Sequence, residues 1–346
     1  MKRLLYVFGG LGVLVVGMGL WFGYLALTED TLPPGVVLGG ETSTPAAFWK
    51  DEELLLSPEG KIATWSKTNG LAIVEELSNT VVRSATKSSD GKGLLLVQKH
   101  GSMSVFWWYE ENRQPRFLVA SRGEVYDVIP APTQHSALVF QQSDKSERDE
   151  LLLLDTSRGT LTSIASNVRS ASWMPDASGI IATDRDQSVW YFGIQAGGRV
   201  ALPELITQSL DAAVVPDRKS ELVIARRADR GVSLLTKSFL SGEEHQLGEF
   251  ATDADPSAVS IVPSLRGVLA ILSFAAGEEN GDLLFVRLST GTVEPAGLTA
   301  RRVTWLDNGG LLVERMQAGA ASLLYLEAPG EQASPVDSDQ HYQVAT

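Results

Sequence analysis

A short turn motif recurs along this chain at nearly regular intervals. Its clearest copies read Leu56-Ser57-Pro58-Glu59-Gly60 and Trp173-Met174-Pro175-Asp176, each next to apolar runs. Pro fixes its own φ for the first central position of a turn and cannot donate to a sheet ladder, and a neighbouring Asp, Asn or Ser bonds to the local backbone. Each copy therefore predicts the reversal of one β-strand into the next. The marked positions are Glu59, Asp90, Thr133, Asp176, Asp217, Ser264 and Asn308.

The spacing of these marks predicts the architecture. The first step is 31 residues long, and the five later steps are 41 to 47 residues long. A period of about 40–45 residues is typical of β-propeller blades, which are four-stranded sheets arranged around a central channel. The sequence therefore predicts an all-β, seven-bladed β-propeller over residues 48–336, and the degenerate copies leave six to eight blades compatible with the pattern.

The two ends of the predicted propeller must close the ring. Closure often places strands from both chain ends in one blade, because a closed ring has no exposed sheet edge. We expect the closing strand to come either from residues 50–56 or from the segment after Leu326. The short first step indicates tight loops in blade 1, or the lack of a full outer strand. The polar residues 337–346 are predicted to form a flexible tail.

The N-terminal segment predicts a membrane anchor. Lys2 and Arg3 precede an uncharged run over residues 4–27, which is long enough to span a hydrocarbon core as a tilted helix. Because basic residues precede this run and acidic residues follow it, the positive-inside rule places residues 1–3 in the cytoplasm and the rest of the chain outside. A cleaved signal peptide is the alternative, but its apolar core is usually only about 7–15 residues long. We therefore expect a single transmembrane α-helix that acts as an uncleaved signal anchor in the plasma (inner) membrane.

A linker is predicted between the anchor and the propeller. Residues 28–47 are rich in Pro, Gly and Thr, a composition typical of a tether that is partly stiff and partly flexible. This segment is expected to hold an extracytoplasmic propeller a short distance from the membrane.

The composition excludes several kinds of chemistry. The chain has 346 residues, a net charge of −13 and no cysteine, so neither disulfides nor thiolate sites can form. Without Lys2 and Arg3 the 29 basic residues become 27, against 42 acidic ones, and the resulting charge of −15 repels nucleic acid. The four histidines show no zinc-site spacing, and there is no GxSxG box. We therefore expect no catalytic residue, no metal and no cofactor, and a binding protein rather than an enzyme.

The loops between the second and third strands of each blade are the predicted binding face. Propellers usually carry function on such loops and at the channel mouth. Each charged candidate on these loops has a simpler interpretation as an exposed solubilising group. The loops are predicted at residues 66–70, 99–103, 142–150, 184–187, 227–230, 275–281 and 317–320, and the candidate side chains are His100, Arg148, Arg185, Arg227 and Arg230.

The strand around Trp107 and Trp108 has two interpretations. Alternate side chains of a strand face opposite ways, so the two rings cannot point into the same layer. One ring could be an exposed anchor for a partner. The interpretation that we favour is that neighbouring blades cover both faces, because aromatic strand residues are usually packed.

The turns Trp173-Met174-Pro175-Asp176 and Ser57-Pro58-Glu59-Gly60 resemble the W-S-P-D-G turn of TolB-like, WD-repeat-like propeller proteins. The resemblance extends over residues 50–336 and carries over no catalytic residue. It implies a propeller of the cell envelope that binds other proteins.

Three functional hypotheses follow from these patterns. The first is a membrane-anchored, extracytoplasmic scaffold that binds a protein or a ligand in the cell envelope. The second is an enzyme with its site in the channel, such as a glycan hydrolase or lyase, which requires Asp, Glu, Arg or His side chains to converge at the mouths of the inner strands. The third is an accessory subunit of a membrane complex that assembles through its glycine-rich transmembrane helix.

Overall fold

The computed structural model describes residues 52–74, 81–111, 113–132, 135–142, 149–195, 198–201, 209–216, 221–238, 241–252, 256–306, 308–336 and 342–344. These residues form strands and turns, and no helix occurs among them. They therefore contain no helix long and apolar enough to cross a membrane. The predicted anchor over residues 4–27 and the linker over residues 28–47 lie outside this part of the chain.

The strands pair into seven antiparallel sheets of four strands each, which confirms the predicted all-β, seven-bladed propeller. In chain order they are β1 (Glu53–Leu56), β2 (Ile62–Ser66), β3 (Gly70–Ile73), β4 (Val82–Lys87), β5 (Gly93–His100), β6 (Met103–Glu110), β7 (Arg116–Arg122), β8 (Glu124–Pro130), β9 (Ser136–Gln142), β10 (Asp149–Asp155), β11 (Thr160–Ser166), β12 (Val168–Trp173), β13 (Gly179–Asp184), β14 (Val189–Gln195), β15 (Gly198–Ala201), β16 (Ser209–Val214), β17 (Glu221–Ala228), β18 (Gly231–Ser238), β19 (Glu244–Ala251), β20 (Pro256–Pro263), β21 (Val268–Ala275), β22 (Gly281–Arg287), β23 (Val293–Ala300), β24 (Arg302–Trp305), β25 (Leu311–Gln317), β26 (Ala320–Leu326), β27 (Ser334–Pro335) and β28 (Gln343–Val344).

Six blades use four consecutive strands, from β4–β7 in blade 2 to β24–β27 in blade 7, and the first strand of each is innermost. Blade 1 has the order β28-β1-β2-β3, so its innermost strand comes from the end of the chain. We call the face with the turns between second and third strands the upper face. The opposite face, with the turns between first and second strands, is the lower face.

The C-terminal residues close the ring instead of forming a tail. Gln343 pairs with Leu56 and Val344 pairs with Leu55. Tyr342 is 2% exposed and packs in one cluster with residues of blades 1 and 7. The prediction of a flexible tail over residues 337–346 is therefore wrong for residues 342–344, because a polar segment gains its partners only when the unpaired edge of β1 is available.

The first turn of the repeat pattern joins a different pair of strands from the other six. Residues 57–61 connect β1 to β2, which are the second and third strands of blade 1, and so they lie on the upper face. There the Val82 N–H donates to the Gly60 carbonyl at 2.8 Å. A Cβ on Gly60, whose φ is +78°, would lie 2.7 Å from the Val82 carbonyl oxygen, so this contact requires glycine.

Because of this difference, three strands (β2, β3 and β4) separate the first turn from the second, whereas four strands separate each later pair of turns. This explains why the first step of the repeat is short. The same difference also corrects the predicted loop at residues 66–70, which joins β2 to β3 and lies on the lower face. The other predicted loops that the structure describes do connect second strands to third strands, as expected.

The aromatic strand β6 is packed on both of its faces. Trp107 is 1% exposed and Trp108 is 7% exposed, which confirms the packing interpretation of this pair. Trp108 belongs to a cluster that joins blades 2 and 3, and its ring occupies the space that a Cβ on Gly93 would need. Contacts of this kind between neighbouring sheets form the core of the ring.

We predict that Tyr342→Ala lowers the free energy of unfolding by about 3 kcal/mol, because it removes a buried aromatic ring from the closing strand. Tyr126→Ala is the matched control, since Tyr126 is 46% exposed. Thermal and urea unfolding followed by circular dichroism measures both effects. Equal losses in the two variants would contradict the closing role of β28.

Candidate functional site

The inner strands line a cavity in the central channel of the propeller. It has a volume of about 650 Å³, and residues of β8, β12, β16, β20 and β24 form most of its wall. A second cavity of about 250 Å³ lies at the upper mouth, where the inner strands begin. The two cavities share Tyr126, Asp127, Arg301 and Arg302 and therefore adjoin each other.

A repeated β-bulge places large side chains at this mouth. In blades 2 to 6 the pairing of the first and second strands shifts by one residue at the upper end. A bulge leaves one residue unpaired and redirects its side chain. The unpaired residues are Arg83, Tyr126, Arg169, Leu210 and Ser257. The first three line the channel cavities, and Leu210 is buried.

Blade 7 brings two arginines to the same level. The Arg301 N–H donates to the Glu314 carbonyl at 2.7 Å, and Arg302 pairs in register with Glu314. Both arginine side chains line both cavities. The mouth therefore collects three arginines from blades 2 and 7, and Arg169 of blade 4 lies in the wall of the adjoining channel.

Polar contacts of these arginines connect blades that are not neighbours. The Arg302 guanidinium forms an ion pair with Asp127 at 3.0 Å, which joins blades 7 and 3 across the channel. Arg169 donates to the Val259 carbonyl at 3.2 Å and thereby joins blades 4 and 6. Both partners of the Arg302–Asp127 pair are partly exposed, so the net stabilisation from this pair is small, on the order of 1 kcal/mol or less.

Asp211 is a buried carboxylate in the channel wall. Its Oδ1 accepts from the Ser170 hydroxyl at 2.5 Å, and its Oδ2 accepts from the Ile261 N–H at 2.8 Å. Burial raises the pKa of Asp211, and the hydrogen bonds together with the nearby Arg169 partly oppose that rise. Since both oxygens are engaged, Asp211 fastens the inner strands of blades 4, 5 and 6 to one another.

Glu314 plays a similar part at the closure of the ring. It is 3% exposed, and burial raises its pKa, while Arg302, Arg301 and a hydrogen bond from the Val344 backbone partly oppose that rise. The Val344 contact links the second strand of blade 7 to β28. Glu314 therefore contributes to the mouth and to the closing strand at once.

The mouth differs in charge from the rest of this acidic chain. Arg83 pairs with Glu124 at 2.9 Å and Arg302 pairs with Asp127, whereas Arg169 and Arg301 form no ion pair among the residues that the structure describes. Arg301 is exposed, and one of its nitrogens lies 3.5 Å from the Met316 sulfur. A guanidinium stays charged at any physiological pH, so this geometry suits the binding of an anionic group. Within the same described part, no cluster of His, Asp or Glu could hold a metal ion.

The structure places four of the predicted site residues on the upper face but outside the channel. His100 ends β5, Arg185 lies in the turn after β13, and Arg227 and Arg230 lie at the turn after β17. None of the four lines either cavity. Arg148 lies outside the described residues.

Two of these arginines bind neighbouring blades. Arg185 forms an ion pair with Asp149 of blade 3, and Arg227 donates to the Pro256 carbonyl of blade 6 at 2.9 Å. They connect adjacent sheets at the upper face.

The channel residues were missed, although the sequence carries a signal for them. Arg83, Tyr126 and Arg169 are separated by 43 and 43 residues, which is the spacing of the turns between them. An alignment on the turns already brings these positions together, because each lies seven residues before its marked position, Asp90, Thr133 or Asp176. Only the bulges, however, reveal that the side chains face the axis.

Comparison with known proteins supports the propeller fold, and it identifies no family, activity or partner. No protein-family model and no curated protein matches this chain. Among solved structures, a protein of unknown function from Desulfotomaculum acetoxidans is 12% identical, with a TM-score of 0.55 over 82% of this chain and 95% of that one.

Two further solved structures are similar. The β-propeller domain of the Trilobed protease from Pyrococcus furiosus, which has an open velcro topology, is 11% identical, with a TM-score of 0.52 over 74% of this chain and 84% of that one. TolB from Acinetobacter baumannii is 13% identical, with a TM-score of 0.50 over 89% of this chain and 86% of that one. Such low identities show a shared propeller fold alone.

We predict that Glu314→Gln becomes more stable than the parent protein as the pH rises. Since the folded-state pKa of Glu314 is raised above its ordinary value of 4.5, this group favours folding below that pH and loses the contribution as the pH rises through the folded pKa. Gln keeps an acceptor for the Val344 N–H and carries no charge. The stability difference in favour of Glu314→Gln is therefore expected to grow as the pH rises above 4.5.

Urea unfolding at several pH values measures this difference. Glu279→Gln, at an exposed position, is the matched control and should show no such trend. A constant difference between Glu314→Gln and the parent across the pH range would contradict the prediction.

Proposed function

We propose that this chain is a single-pass protein of the plasma (inner) membrane whose extracytoplasmic propeller binds a protein or ligand partner in the cell envelope. The observation that supports binding most directly is the upper mouth, where Arg301 lines the cavity and, like Arg169 in the wall of the adjoining channel, forms no ion pair among the described residues. The comparisons agree with this role only at the level of the fold.

Rigidity favours a binding role. A closed ring of sheets holds its upper turns in place through contacts between blades, such as the pair of Arg185 with Asp149. Turns that are fixed before a partner arrives lose little conformational entropy on binding. The upper face therefore offers several fixed loops around one mouth, which is a suitable surface for a partner.

The point at which the chain enters the propeller fits a tether. Glu52, the first described residue, lies at the lower face, where its carbonyl accepts from the Lys87 ammonium at 2.8 Å and its side chain accepts from Asn69 at 2.9 Å. The entry point of the chain and the turns proposed to bind a partner therefore lie on opposite faces of the propeller. The membrane location itself rests on Lys2, Arg3 and the apolar run over residues 4–27.

The similar structures include a TolB protein, which agrees with the sequence resemblance to TolB-like propellers, and it is this resemblance that implies a role in the envelope. For the present chain, the location in the plasma (inner) membrane and the binding of a protein or ligand partner are both part of the proposal.

An enzyme with its site in the channel is the second candidate. Asp127, Asp211 and Glu314 converge with arginines along the channel, and burial raises the pKa of Asp211 and of Glu314. Shifted carboxyl groups in a cavity are typical of acid–base sites. However, both oxygens of Asp211 are engaged in fastening strands, Glu314 is buried against β28, and Asp127 is paired with Arg302. The geometry therefore supports binding better than catalysis.

A photo-crosslinking amino acid at Arg230, on the upper face, is expected to capture a specific partner in intact cells. Leu265 is the matched control position, because it is 71% exposed and lies on the lower face. Mass spectrometry of the adducts measures the result. The binding proposal fails if the two positions give the same adducts, or if Arg230 gives none.

The absence of cysteine allows a direct test of membrane topology. Arg158→Cys introduces a single thiol at a side chain that is 81% exposed on the propeller. We expect a membrane-impermeant maleimide to label it in spheroplasts, because the propeller is proposed to lie outside the cytoplasm. Lys2→Cys should react only after lysis. The opposite pattern of labelling would overturn the proposed orientation.

A further inference from the structure

The cavity of about 250 Å³ at the upper mouth, which we call the vestibule, is lined by polar, charged and aromatic side chains. Its volume lies just below the roughly 300 Å³ at which pockets for drug-sized ligands begin, so a ligand the size of a monosaccharide fits it. The side chains that matter for recognition are Arg83, Tyr126, Asp127, Arg301, Arg302 and Glu314.

The arginines of the vestibule can receive an anion. Arg301 is exposed and forms no ion pair among the described residues, and Arg302 follows it directly in the chain. Arg302 is 33% exposed and its partner Asp127 is 24% exposed, so their pair is weakened by solvent. A ligand carboxylate or phosphate can therefore replace Asp127 as the partner of Arg302 at low cost, with bidentate geometry that guanidinium groups favour.

Tyr126 and Asp127 can contact the ring and the hydroxyl groups of a sugar. Tyr126 is 46% exposed at the rim, and its ring packs against Phe140 at 5.9 Å between centroids, which fixes its position. An aromatic ring beside a few polar groups provides an apolar surface for C–H groups and orients the ligand. Once Arg302 turns to the ligand, Asp127 becomes an acceptor for hydroxyl groups.

The charge of the vestibule favours the same ligand class. Burial raises the pKa of Glu314, which works against a full negative charge beside Arg301 and Arg302. The strong acidity of the chain as a whole would repel an anion elsewhere on the surface. The lining of the vestibule, with Arg83, Arg301 and Arg302 against Asp127 and Glu314, therefore has more basic than acidic side chains, unlike the chain as a whole.

We propose that the vestibule binds an anionic monosaccharide, with its carboxylate or phosphate on Arg301 and Arg302, its ring against Tyr126 and a hydroxyl group on Asp127. This site does not depend on the membrane location or on a protein partner. Photo-crosslinking at Arg230 and sugar binding can therefore fail separately.

Calorimetric titration of the full chain in detergent micelles tests the proposal. The probes are glucuronate and glucose 6-phosphate, which distinguish a carboxylate from a phosphate, with glucose and inorganic phosphate for comparison. We expect saturable binding of at least one anionic sugar and none of glucose. Binding should weaken as salt is raised, because the contacts are ionic and partly exposed.

Two variants and a matched control assign the site. Arg301→Gln should weaken the anionic sugar roughly tenfold or more, whereas Arg158→Gln, which removes the same charge from a distant exposed turn, should change it less than about twofold. Tyr126→Leu should weaken the sugar without weakening inorganic phosphate. Thermal unfolding of each variant verifies that it is folded.

Several results would overturn the proposal. One is the absence of saturable binding of both anionic sugars to the folded protein. Another is an equal loss in Arg158→Gln and Arg301→Gln, which would indicate a general charge effect. A third is inorganic phosphate binding as tightly as glucose 6-phosphate with no effect of Tyr126→Leu, which would indicate an anion site without sugar recognition.

Discussion

The pairing of β28 with β1 is the interaction on which the rest of this structure depends. A propeller ring is complete only if its first and last blades are held together, and here the backbone link between them consists of two residues, Gln343 and Val344. So short a ladder is weak by itself. The closing strand is stabilised by the burial of Tyr342 among side chains of blades 1 and 7. Glu314 also stabilises it, because its side chain accepts a hydrogen bond from the Val344 backbone.

Closure also determines what the upper mouth contains. Arg301 and Arg302 belong to blade 7, and Asp127 and Tyr126 belong to blade 3, so these side chains meet only when the ring is complete. The repeated bulge then acts on the closed ring, because it turns the unpaired residue of each inner strand away from the ladder. Fold and candidate site therefore share one cause, the convergence of the inner strands around an axis.

The sequence predicted the fold well because Pro and acidic residues have strong local preferences, and a regular spacing of such turns has few structural solutions. It did not show which strands a turn connects, and the turn at residues 57–61 was therefore assigned to the wrong pair. The sequence limited the closing strand to residues 50–56 or the segment after Leu326, but it could not choose between them, since Gln343 and Val344 gain their partners only from a distant part of the chain. The channel arginines look like ordinary exposed charges until the register shifts show where they lie, as Arg83 and Arg169 illustrate.

The buried charges of the channel explain why this region is better suited to recognition than to stability. Burying Asp211 and Glu314 costs free energy, as their raised pKa values indicate, and well-packed apolar side chains would stabilise the wall at least as well. What the polar contacts provide instead is a fixed arrangement, since Asp211 determines the spacing of three inner strands and Arg302 reaches across the channel to Asp127. An arrangement of fixed charges in a partly enclosed cavity attracts a ligand of complementary charge more strongly than the same groups would in open water.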